Sequence, residues 1–85
     1  MNINDLIAIV KKKLKDNFAI ENISIEDKSF LHKKHKGYQE GKFHLKLNIE
    51  SVELSQLSKI QSNKEIYKAL SQEMKDHIHS LQILI

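Results

Sequence analysis

Between Lys42 and Glu50 the chain alternates without interruption. Phe43, Leu45, Leu47 and Ile49 share one parity, and Lys42, His44, Lys46, Asn48 and Glu50 share the other. Successive side chains of a strand point to opposite faces, so this stretch specifies a strand with one face on a core and the other in water. That pattern favours an antiparallel sheet. A shorter alternation follows Ile20, where Ile23 and Ile25 interleave with Ser24 and Glu26. Ile78 to Ile85 supplies a third strand, with His79, Leu81, Ile83 and Ile85 expected on one face.

The remaining apolar residues recur at helical spacing. Ile3, Leu6, Ile7, Val10 and Leu14 predict an amphipathic helix from Asn2 to Asp16. Asn2 suits its N-cap, Asp5 the positive end of its dipole, and Lys11, Lys12, Lys13 and Lys15 the negative end. Leu54, Leu57 and Ile60 predict a short helical segment after the central strand. Ser62 and Glu65 then form an S-x-x-E capping box. Ile66, Leu70 and Met74 follow it, predicting a second strong helix from Asn63 to Lys75. Asp27 to Gly41 has no period, contains both glycines, and reads as a long loop. The expected fold is a single small α+β domain over residues 1–85. Its order is α, β, β, short α, α, β, with the helices on one face of a three-stranded sheet.

Composition removes most enzyme chemistries. The chain has no cysteine, hence no disulfide framework, thiol nucleophile or thiolate zinc site. Gly37 and Gly41 cannot write a phosphate loop or a dinucleotide fingerprint, and no GxSxG elbow or HExxH helix occurs. The expectation is a protein that is not an enzyme. Its longest apolar runs fall far short of the roughly 20 residues that span a bilayer. The N-terminus opens on Asn2 and Asp5 rather than positive charge, so a cytoplasmic chain without a membrane segment is expected.

Five histidines and 14 lysines, with no arginine, are left to carry chemistry at a net charge of +3. His32 and His35 bracket lysines in His32-Lys33-Lys34-His35-Lys36, His77 and His79 flank Ile78, and His44 lies on the polar face of the central strand. Neutral imidazole ligates zinc, iron and copper. Solvated or helix-capping histidines produce the same spacings, and His77 suits a helix's last turn. One loop histidine and one junction histidine would give two ligands with no thiolate to complete a site. A metal centre would therefore draw its other ligands from a second molecule, and two histidines here with two thiolates from a partner would resemble the mixed His/Cys ligation of Rieske 2Fe–2S centres. The alternative is phosphate binding by Lys33, Lys34 and Lys36, aided by Lys42 and Lys46. Absence of arginine removes the commonest bidentate guanine contact and disfavours sequence-specific reading.

Several segments together resemble the BolA-like proteins. Asp27-Lys28-Ser29-Phe30-Leu31-His32 is similar to the D-x-S-x-x-H entry to that family's loop, and Gly41-Lys42-Phe43-His44-Leu45-Lys46-Leu47 to its central strand. Ile66-Tyr67-Lys68-Ala69-Leu70 followed by Glu73 resembles its third helix, and Ile78-His79-Ser80-Leu81 its V-H-A-L close. The resemblance covers essentially the whole chain. It implies an α-β-β-α-α-β fold of the class II KH type without the GxxG loop. It also implies a monothiol glutaredoxin partner sharing a 2Fe–2S cluster, with no cofactor expected in the isolated chain, which would be a monomer or weak homodimer. The glutaredoxin would bring its cysteine and glutathione. This chain would contribute His79 and a loop histidine, His32 or alternatively His35. Some members are DNA-binding transcriptional regulators, which would involve Lys33, Lys34, Lys36, Lys64 and Lys68. Two departures stand out. Ser62-Asn63-Lys64 replaces a basic-His-basic triplet, and Lys42 stands where many members have a histidine before the central Phe.

Overall fold

A computed structural model of the chain describes residues 2–29 and 42–85. Helix α1 runs Ile3–Asn17, and the Asn2 side chain accepts a hydrogen bond from the Asp5 N–H at 2.9 Å, as an N-cap should. Leu6, Val10 and Leu14 form its buried stripe. Strands β1 (Asn22–Asp27) and β2 (Phe43–Glu50) pair antiparallel, while β2 pairs with β3 (Ile78–Leu84) in parallel. The sheet order is β1-β2-β3. Parallel neighbours need a crossover connection, and α2 (Val52–Ser55), α3 (Lys59–Ala69) and α4 (Ser71–Asp76) supply it. The core joins the α1 stripe to Ile23, Leu45, Leu47, Ile49, Leu54, Ile66, Leu70 and Ile78. The expected α+β architecture is therefore present, but the sheet is mixed: the alternation of β2 favours an antiparallel sheet, and the helical crossover makes β2 and β3 parallel instead. Among the described residues, no helix is long and apolar enough to cross a membrane.

The crossover departs from the sequence reading. The capping box at Ser62 does not begin a helix. The N-cap is Ser58, whose side chain accepts from the Gln61 N–H at 3.1 Å. Ser62 lies inside α3, buried, donating its hydroxyl to the Lys59 carbonyl. The expected single helix to Lys75 is also interrupted at Leu70, which caps α3 and begins α4. The preceding short helix holds only Val52–Ser55, and Leu57 and Ile60 lie outside it and exposed. Replacing Ser58 by alanine should therefore cost about 1 kcal/mol in urea unfolding. A capping box at Ser62 would instead make that replacement nearly neutral.

Candidate functional site

The start of β3 must meet two demands. Ile78 is buried in the core, and Leu81 and Ile83 also pack against it, yet 78 and 81 have opposite strand parity. The conflict is resolved by one extra residue. Phe43 pairs with Ile78 and His44 with Ser80, so the register slips by one across His79. Such a bulge re-aims the side chain it carries. His79 consequently does not continue the Leu81–Ile83 face, as the plain alternation predicts. Its exposed ring lies against His44, centroid to centroid at 4.7 Å and 62° between planes.

His44 overturns a second expectation. Its parity in β2 places it on the nominally wet face, but it is only 5% exposed. Its Nδ1 is hydrogen-bonded to Ser80 Oγ at 2.5 Å. Its backbone N–H donates to Ser29 Oγ at 3.0 Å, and its carbonyl accepts from the Lys28 N–H at 2.7 Å. Ser29 in turn donates its N–H to Asp27 Oδ1 at 3.0 Å. The Asp27-Lys28-Ser29 stretch therefore has a mechanical role. The aspartate holds a local turn at the end of β1, and the serine pins that turn to β2. The Phe43 N–H donates to the His77 carbonyl at 2.9 Å, bringing the α4–β3 junction to the same place. His77 itself is the C-cap of α4, its N–H donating to the Glu73 carbonyl.

Of the residues singled out in the sequence, His79 is exposed at this junction, and Lys64 and Lys68 are exposed on α3. His32, His35, Lys33, Lys34 and Lys36 lie outside the described residues. The sequence reading named His44 but placed it on the wet face, and it missed Ser80. No equal spacing pointed to the pair, since His44 follows Phe43 by one residue and Ser80 follows Ile78 by two, the difference being the bulge. Among the described residues, no group of three histidine, cysteine, aspartate or glutamate side chains is placed to hold a metal ion. Among the described residues, the junction brings together two imidazoles, His79 accessible and His44 buried.

The outward sheet face carries one perturbed carboxylate. Asn48 Nδ2 donates to Glu26 Oε2 at 2.8 Å, and Lys28 Nζ lies 3.2 Å from Oε1. The Asn48 hydrogen bond first, then Lys28, hold the Glu26 carboxyl below the usual glutamate range. A carboxyl lowered by folding stabilises the fold above its unfolded pKa, and that contribution fades as pH falls through the folded value. Asn48→Ala should move the Glu26 titration, followed by NMR, upward toward the ordinary glutamate value. An unmoved titration would assign the shift to Lys28 alone.

Comparison with known proteins agrees with this fold. The family model described as BolA-like protein matches residues 14–85. The DNA-binding transcriptional regulator BolA of Haemophilus influenzae is 29% identical over 75 residues, covering 88% of this chain and 70% of that protein. Among solved structures, the BolA domain of SufE1 from Arabidopsis thaliana superposes with a TM-score of 0.78 at 25% identity, covering 99% of this chain and 91% of that one. BolA1 from Arabidopsis thaliana shares the fold at a TM-score of 0.74 and 22% identity, covering 92% of this chain and 86% of that one. A family match reaching from the last turns of α1 to the chain's final residue, on a matching fold, makes this protein a member of the BolA-like family.

Proposed function

We propose that this chain is a non-enzymatic partner of a monothiol glutaredoxin, supplying histidine ligands to a shared 2Fe–2S cluster in iron–sulfur trafficking. The observation that carries this reading is the exposed His79 on its bulge, in a chain that has no cysteine. Such a chain offers imidazole nitrogen and leaves thiolate ligation to its partner and the partner's glutathione. When bound, the cluster supplies iron that accepts a neutral imidazole lone pair. The chain's own part is to hold His79 outward and in place. His32 is the proposed second ligand and His35 the alternate. His32 follows Ser29 by three positions, a reach of roughly 10 Å at full extension, and Ser29 is bonded to the His44 backbone beside His79. The test is titration of a cluster-loaded monothiol glutaredoxin with this protein, followed by visible absorption and circular dichroism. A new spectrum saturating at one chain per partner is expected, and unchanged spectra contradict the reading.

A second reading, DNA binding, draws on two observations. Lys64 and Lys68 stand one turn apart, both exposed, on α3, and the Haemophilus influenzae relative is named a DNA-binding regulator. Lysines contact phosphate as point charges, so such binding would be sequence-tolerant and steeply salt-dependent. Ser62 is buried, which leaves the triplet Ser62-Asn63-Lys64 with a single cation facing out. The shared-cluster reading is favoured for that reason. Duplex DNA titrated at low salt decides whether the lysines also serve this role.

A further inference from the structure

We propose that His44 is a positioning residue: its buried ring, tied to Ser80, fixes the orientation in which the exposed His79 imidazole is presented. The proposal deepens the reading of His79 as a ligand and rests on it for its functional meaning.

Three observations converge on it. First, His44 is anchored at its backbone by Ser29 Oγ and by the Lys28 N–H, and at its ring by Ser80 Oγ, so it forms a fixed wall. Second, Ser80 is both the register partner of His44 and the residue after His79. The ring hydrogen bond therefore closes a small circuit that includes the bulge. Third, the His79 ring meets that wall in an edge-to-face contact, the geometry aromatic pairs prefer. An exposed histidine otherwise samples several rotamers and loses that freedom when it binds. A ring held beforehand loses less, and its nitrogen faces a partner in one direction. Outer residues that orient a metal-binding histidine typically change affinity by about 10–100-fold when removed. The bulge lets Ile78 and Leu81 both face the core, and it also sets the exposed His79 ring against His44, a contact the hydrophobic core does not include.

The first test uses the free protein. Side-chain couplings and ring-to-ring NOEs of His79 should report one dominant χ1 rotamer in contact with His44. His44→Ala should average those couplings and abolish the His79 ring-current shift. Ser80→Ala, at an exposed position, should loosen them in part even if the buried substitution impairs folding. His44→Phe keeps an aromatic wall but not the bond to Ser80, so it should restore the single rotamer only in part, to the level of Ser80→Ala. Averaged couplings in the parent protein, or couplings unmoved in both His44→Ala and Ser80→Ala, would overturn the proposal. The second readout is cluster retention in the mixed complex with a monothiol glutaredoxin. His44→Ala should weaken it about 10–100-fold, with partial recovery in His44→Phe, and equal retention in all three proteins would overturn the proposal. A spectrum unchanged by His79→Ala sinks the ligand reading separately, because the NMR signature needs no cluster.

Discussion

A His79→Ala variant is expected to fold like the parent and to lose the spectral change on mixing with a cluster-loaded monothiol glutaredoxin. His79 is exposed and sits on an extra residue of β3, outside the hydrophobic core. Surface replacements of that kind usually move stability by no more than about 0.5 kcal/mol. The functional cost should be far larger. Removing a cluster ligand takes away a donor for which the chain has no thiolate substitute. His77→Ala is the control. Its N–H, not its ring, makes the closing bond of α4, so that variant should keep the spectrum. Equal spectra in the His79 variant and its parent would remove His79 from the site.

The largest stability effect is expected at the opposite end of α4. Glu73 is only 6% exposed, and Lys13 Nζ lies 2.6 Å from its Oε2, joining α1 to the helix that leads into the histidine junction. Lys13→Met leaves a buried carboxylate without its cation. Stranding one member of a buried pair is costly, and because Lys13 itself is half-exposed and water can follow, we expect about 2–3 kcal/mol. In a domain this small that is a fall in melting temperature on the order of 10 °C. Lys13→Met combined with Glu73→Leu should regain most of the loss, since removing both partners also removes the desolvated charge. Urea unfolding of the three proteins checks this. A single variant as stable as the parent would show that the pair does not hold α4 to α1.

Much of the fold was readable because local signals agreed with tertiary ones. The Asn2 cap, the Leu6–Val10–Leu14 stripe and the alternation of β2 from Leu45 to Glu50 appear as the sequence predicts. The misread features share one cause: local patterns that more than one structure can satisfy. Ser58 and Ser62 are both serines preceding a helical stretch, and only packing shows that Ser62 points inward. The helix spacing through Ile66, Leu70 and Met74 also survives a break at Leu70. At the site, the V-H-A-L resemblance located His79, but the bulge depends on two demands felt far apart in sequence. Ile78 and Leu81 must both reach the core, and His44 must find Ser80 36 residues away. No short window contains that information. The burial of His44 was illegible for the same reason, since a histidine among Lys42, Lys46 and Asn48 carries the pattern of a wet face.

The shared-cluster account is tested most directly by anaerobic co-purification of the untagged protein with a tagged monothiol glutaredoxin, counting iron, sulfide and both chains. The account predicts one chain of each protein with one 2Fe–2S cluster, reduced to background iron when His79 is replaced by alanine. A cluster-bearing glutaredoxin that elutes without this chain, or a complex whose iron content is indifferent to His79, would contradict it.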